Sequence, residues 1–155
     1  MHDAVSRVRS FFADHGIDIA ITTFDTSIHT APQAAEALGT SVRHIVKSLL
    51  FEADGQPVLV LCGGDRRVDT AKLAALCGAR EARKASASLT RRASGYSIGG
   101  VPPVAHTTAM PVFMDTELLA CDMVYAAAGT AYTLFAIEPE VLKEVSGARL
   151  AVISE

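Results

Sequence analysis

The stretch Ile45-Val46-Lys47-Ser48-Leu49-Leu50-Phe51-Glu52, closed by Asp54-Gly55 and answered by Val58-Leu59-Val60-Leu61-Cys62, decides how this chain reads. Two apolar, partly β-branched runs flank an Asp-Gly pair, the strongest short-range signal for a β-hairpin. Side chains alternate along a strand, so Ile45, Lys47, Leu49 and Phe51 share one face and His44, Val46, Ser48 and Leu50 the other. Both faces read as buried, and Lys47 interrupts an apolar row. A lysine there must snorkel to solvent, guard a sheet edge or point into a pocket. An unpaired buried ammonium costs several kcal/mol, which favours the pocket.

Outward from the hairpin, short elements alternate without internal repeats. Val5, Val8, Phe11, Phe12 and His15 recur at helical spacing until Gly16, and Ile17 to Phe24 reads as a strand. Thr30-Ala-Pro-Gln33 is a capping box that opens an Ala-rich helix ending at Gly39. Thr70–Cys77 and Ser86–Ala93 are helices stopped by Gly78 and near Gly95, and a Gly/Pro-rich loop follows. Strands are expected at Val112–Met114, Met123–Ala128, Tyr132–Ile137 and Leu150–Ile153, with a helical turn after Asp115 and a helix from Pro139 to Gly147. Strands outnumber βαβ units. The expected fold is therefore α+β, one domain over residues 1–155, with a mixed, largely antiparallel, curled sheet flanked by helices.

Composition narrows the function classes. At 155 residues and 50% hydrophobic, the chain is long enough for a sizeable core and too apolar for disorder. The longest strongly apolar charge-free run, Met123 to Ile137, is broken by Gly129, Thr130 and Thr133, so no membrane partner is expected. Cys62, Cys77 and Cys121 form neither a CxxC nor a ligand pattern and read as reduced core thiols of a cytoplasmic protein. The five histidines (His2, His15, His29, His44, His106) show no metal spacing. Net charge is −3, yet Arg66 to Arg92 holds eight basic residues against two acidic ones, a net of +6 that leaves −9 elsewhere. Such polarity suits either a localised phosphate-binding face or solvated helix faces.

Two features could carry chemistry. Lys47 is one, as a cation or as a lysine of lowered basicity. The other is Gly95-Tyr-Ser-Ile-Gly99-Gly100-Val101-Pro102-Pro103, where prolines stiffen a backbone that glycines leave open to close approach. Amides of such a loop could hold a carbonyl oxygen or phosphate. Phosphate-loop, dinucleotide, HExxH and GxSxG motifs are absent from the sequence.

The order His29-Thr-Ala-x-x-Ala-Ala35, Leu38-Gly39, Ile45-Val-Lys47-Ser48-Leu49, Gly63-Gly-Asp65, Lys72-Leu73, Gly78, Gly95-Tyr96, Gly99-Gly100-x-x-Pro103, Asp115 and Ala128-Gly129 resembles the YbaK/EbsC family. These are free-standing relatives of the editing domain inserted in bacterial prolyl-tRNA synthetase. The resemblance runs from about Thr22 to Ile153. It implies hydrolysis of mischarged aminoacyl-tRNA in trans, on a tRNA(Pro)-type substrate with the amino acid unspecified and without metal or organic cofactor. Lys47 matches the family's essential lysine, which helps hold the 3′-terminal nucleotide and ester. Gly99 to Pro103, with Gly100 and Val101, match its GxxxP loop, whose amides meet the aminoacyl carbonyl. Cleavage in the family is by water or a substrate hydroxyl rather than an enzyme nucleophile.

The resemblance further implies a substrate pocket of Phe24, His29, Thr30, Ser48, Ala128, Gly129, Thr130 and Thr133, and the basic segment supplies the expected tRNA contacts, Arg66, Arg67, Lys72, Arg91 and Arg92. Ala128-Gly129-Thr130 stands where cysteinyl-tRNA-type members show a serine followed by Gly-Gly, Thr133 replaces an acidic pocket residue, and Pro102 a small polar one. These departures weaken a Cys-tRNA(Pro) assignment. The expected partners are aminoacyl-tRNA and a synthetase, not DNA. The alternatives are a non-catalytic tRNA- or synthetase-binding module on the same scaffold, and a Schiff-base enzyme using Lys47.

Overall fold

The computed structural model describes residues 3–155; His2, counted above among the histidines, lies outside them. Helix α1 (Asp3–Asp14) leads to β1 (Ile21–Thr23), α2 (Ala31–Leu38) and a 3-10 turn at Val42–His44. The hairpin is β2 (Val46–Ala53) and β3 (Gln56–Gly63), followed by α3 (Thr70–Cys77), β4 (Ala82–Lys84) and α4 (Ala87–Ser94). After the Gly/Pro loop come β5 (Val112–Asp115), a 3-10 turn at Thr116–Ala120, β6 (Val124–Ala127), β7 (Thr133–Ile137), α5 (Pro139–Ser146) and β8 (Arg149–Ala151).

The fold is α+β, in two open sheets. One has the order β4-β2-β3-β5-β8 and the other β1-β7-β6. Four pairings are antiparallel, and β3–β5 and β5–β8 are parallel. Among the described residues, one isolated bridge, between Ile45 and Tyr125, joins the two sheets. Asp54 and Gly55 both have positive φ (48° and 85°), the backbone that a two-residue hairpin of native twist demands.

The hairpin divides the core in two. Leu59 and Leu61 face α1, the smaller sheet and α5, packing with Phe12, Phe135 and Leu142. Val58, Val60 and Cys62 face α3, packing with Leu73 and Ile153. This two-sided cover explains why the strand reads as an unbroken apolar run. Between Ile17 and Phe24 the ladder covers Ile21–Thr23 and is continued by the Phe24 amide donating to Tyr132 O (2.8 Å), on an edge strand with β7 alone beside it. Strand β4 carries Arg83 and Lys84 on a sheet edge, where charge is the usual protection against unwanted pairing; its pattern therefore did not read as a strand.

Candidate functional site

The hairpin's pairing leaves a gap in the sheet edge. Residues 51–53 of β2 pair with β4, and the Ala85 amide closes that ladder on the Leu50 carbonyl (3.0 Å). At the other end, Ile45 bridges to Tyr125. From Lys47 to Leu49 no strand lies on this side, and a cavity of about 380 Å³ opens there. Its wall includes Lys47, Ser48 and Leu49 of β2, His29 and Thr30 at the start of α2, Gly99 and Val101, Ala127 and Thr133 of the smaller sheet, and Thr130 in the turn between them. The wall holds no aspartate or glutamate.

Lys47 is half-buried rather than unpaired. Its Nζ donates to the Arg66 carbonyl, which offsets the desolvation that a bare ammonium would suffer. The turn carrying that carbonyl is anchored by Gly64 N donating to Ile45 O (2.7 Å) and Arg66 N to Gly63 O (3.0 Å). Gly64 admits no side chain, since a Cβ would stand 2.4 Å from the Val42 carbonyl oxygen. Cys62 sits opposite Lys47 in the ladder. Burial pushes its thiol up to about 11 in spite of Lys47, so it is no nucleophile at neutral pH.

The opposite wall is a loop without regular structure, tied by side chains. Tyr96 Oη donates to Ala105 O (2.7 Å) and His106 Nε2 to Pro102 O (2.8 Å). Ala105 is held at φ +66°, a conformation that a non-glycine residue rarely adopts. Gly100 packs on the Gly129–Thr130 backbone so closely that a Cβ would meet Thr130 Cα at 2.7 Å and Gly129 O at 2.9 Å. The Gly100 amide donates to Ser97 O (3.0 Å), so it is no free donor for a ligand. Gly99 and Val101, on either side, reach the cavity, and their amides donate to no protein group among the described residues.

The capping box forms in full: Gln33 N donates to Thr30 Oγ1 (3.2 Å) and Thr30 N to Gln33 Oε1 (3.2 Å). It aims the positive end of α2 at the cavity, and His29 Nδ1 lies across from Gly99. Ser48 lines the wall and its buried Oγ has no partner among the described residues. Thr130 Oγ1 and Thr133 Oγ1 bond each other at 3.0 Å.

Several expected site residues stand elsewhere. Phe24 packs beside Ala34, Ala35 and Leu134 behind the wall, and Ala128 is fully buried in the main core. Strand alternation turns Ala127, not Ala128, to the cavity. Gly129 faces α1, where a Cβ would strike the Ala4 carbonyl at 2.8 Å. Gly100 and Pro103 are buried beneath the loop rather than on the wall.

The basic segment divides between two anchorages. Arg66 pairs with Glu117 (3.1 Å), Arg67 approaches Glu155 (3.8 Å) and Lys72 Nζ donates to Ser154 O (3.0 Å). Arg91 donates to Ser97 Oγ (3.1 Å) beside the Gly/Pro loop, and Arg92 is exposed next to it. Sequence reasoning missed two features. Lys84 lines the cavity mouth, and only its place in the +6 segment hinted at it. Ser27 Oγ lies 2.7 Å from His29 Nε2, a Ser–His contact invisible in spacing, although Ser27 is not part of the cavity wall.

Comparison with known proteins follows the same outline. Residues 25–145 match the family model of the aminoacyl-tRNA editing domain. The uncharacterized protein YwhH of Bacillus subtilis is 32% identical over 144 residues, covering 92% of this chain and 91% of its own. A proline--tRNA ligase of Nitratidesulfovibrio vulgaris is 39% identical over 90 residues, which are 58% of this chain but only 16% of the ligase. A crystal structure described as "a putative trans-editing enzyme for prolyl tRNA synthetase" superposes with a TM-score of 0.90 at 35% identity, covering 100% of this chain and 99% of the other. With this agreement of sequence and fold, the chain belongs to the aminoacyl-tRNA editing domain family.

Proposed function

We propose that the protein is a trans-acting aminoacyl-tRNA deacylase, cleaving the ester of a mischarged tRNA of the tRNA(Pro) type. The observation that carries this reading is one cavity with the Lys47 amine on one wall, Gly99 and Val101 on another, and no carboxylate on the wall at all. Such a wall suits an electron-rich ester attached to a polyanion, and it offers donors for an oxyanion. The relatives that carry this domain within a proline--tRNA ligase support the tRNA class.

In the reaction, a water oxygen, activated by a substrate hydroxyl, adds to the ester carbonyl carbon. Negative charge collects on the carbonyl oxygen, where the free amides and the Lys47 cation stabilise it. Collapse breaks the bond to the ribose oxygen, which takes the proton and leaves as the tRNA hydroxyl; the amino acid leaves as a carboxylic acid that ionises. No enzyme nucleophile is required, consistent with a protonated Cys62 thiol and a Ser27 off the cavity wall. Editing is physically needed because a synthetase pocket distinguishes one methylene by only about 1–3 kcal/mol.

The test is a panel of mischarged tRNAs, tRNA(Pro) first, with wild type and Lys47→Ala. Deacylation of at least one member, slowed about 10²–10³-fold by the substitution, is expected. Equal rates in the variant would overturn the assignment of Lys47. Retained tRNA affinity with no cleavage would make the protein a binding module instead.

A further inference from the structure

The cavity is electropositive in a chain of net charge −3: its wall holds Lys47 and Lys84, with the N-terminal end of α2 beside them and no acid. Of the two lysines, Lys47 is engaged by the Arg66 carbonyl. Lys84 is exposed, and among the described residues its side chain makes no ion pair or hydrogen bond. Lys84 ends β4, the three-residue strand whose termination leaves the gap in the sheet edge.

Register puts the two cations on one face. Lys84 is the ladder partner of Phe51, and Phe51, Leu49 and Lys47 share a side of β2. Four residues of strand separate the positions, about 13 Å along the chain, and the flexible stem of Lys84, whose amine is not engaged, can narrow that distance. A ligand that spans them needs a reacting group at Lys47 and an anion about one nucleoside away. The apolar and hydroxyl wall of Ala127, Thr133 and Leu134 lies on the smaller sheet, whereas Lys84 belongs to the edge strand of the larger one. A small acidic amino acid seated there would leave the exposed lysine unused. A phosphodiester that enters from solvent would use it.

We propose that Lys84 receives the 5′-phosphate of the terminal nucleotide while Lys47 attends its ester end. The inference rests on the nucleotide-ended substrate of the deacylase reading, and it assigns a residue that sequence reasoning left unassigned. Lys84 is a binding residue that sets the position of the ester along the cavity.

The experiment is calorimetric titration of the intact protein with 5′-AMP and with adenosine, which differ only in the phosphate. Wild type should bind AMP about tenfold more tightly than adenosine, as one charge-assisted contact provides. Lys84→Met should bring the ratio near one, Lys84→Arg should restore it, and added salt should weaken AMP while leaving adenosine unchanged. Position 84 is exposed, so these variants should keep the wild-type melting temperature. Failure of AMP to bind, equal affinity for the two ligands in wild type, or a ratio unaltered by Lys84→Met overturns the inference. A Lys84-dependent AMP preference in a protein that cleaves no aminoacyl-tRNA would sink the deacylase reading and leave the phosphate site standing. Cleavage without that preference would do the reverse.

Discussion

Two walls face each other across the cavity, and they are built differently. The hairpin wall is held by a continuous backbone ladder and by core side chains on both faces, so its shape follows from pairing and packing, and a side chain at the cavity edge such as Lys47 can be changed without disturbing either. The Gly/Pro wall has no ladder. It keeps its shape through Tyr96 on Ala105, His106 on Pro102 and the close seat of Gly100 on the Gly129–Thr130 backbone. On the first wall, chemistry and stability are separable. On the second they are coupled, because the groups that hold the loop also set where Gly99 and Val101 stand.

That contrast is open to test by substitution. The largest effect on stability belongs to the hairpin core: Leu61→Ala, at a fully buried position, should cost about 2–5 kcal/mol in denaturant unfolding. On the same hairpin Lys47→Ala should remove most activity while shifting the melting temperature little. Equal losses of stability from both would erase the distinction drawn here.

Gly100→Ala should cost about 1–3 kcal/mol by overpacking and also abolish most deacylation, since the loop must move to admit the new methyl group. A variant that lost stability with full activity would show that the loop's position is irrelevant to the chemistry. Tyr96→Phe orphans the Ala105 carbonyl and should cost about 1 kcal/mol, a lowering of the melting point of about 2–4 °C.

Smaller still is a pH effect. Burial holds the His106 imidazole below its ordinary value, against the opposing pull of the Pro102 carbonyl. As pH falls below about 6.5 the unfolded chain takes up a proton here before the folded one does, so stability declines with acidification. His106→Gln keeps a donor for Pro102 and should flatten that decline in melting curves taken between about pH 7.5 and 5.5. The least effect is expected at Ser27→Ala, whose deacylation rate should stay within about twofold of wild type. A loss there of the size expected for Lys47→Ala would revive a Ser–His nucleophile.

Legibility in the sequence tracked these same differences. The hairpin, its Asp54-Gly55 turn and the Thr30–Gln33 capping box were readable because each rests on contacts between residues a few positions apart. The resemblance pointed to Lys47, Gly99 and Val101, and all three reach the cavity. Ala127 rather than Ala128 lines the cavity because successive residues of a strand point to opposite sides, whereas the places of Phe24 against α2 and Gly129 against α1 follow from packing between distant segments. Lys84 stayed hidden in a charge run, since nothing local says where a three-residue edge strand will dock.

From the sequence by itself followed the α+β class, the hairpin and the lysine within it, because periodicity and turn chemistry act over a few residues at a time. Tertiary structure alone decided that β4 would stop short of Lys47, that the Arg66 carbonyl would hold its amine, and that Gly100 would rest on Gly129 and Thr130. Those are meetings of segments far apart in the chain, and their outcome is set by how the two sheets and the loop between them pack together rather than by any pattern that a local reading contains.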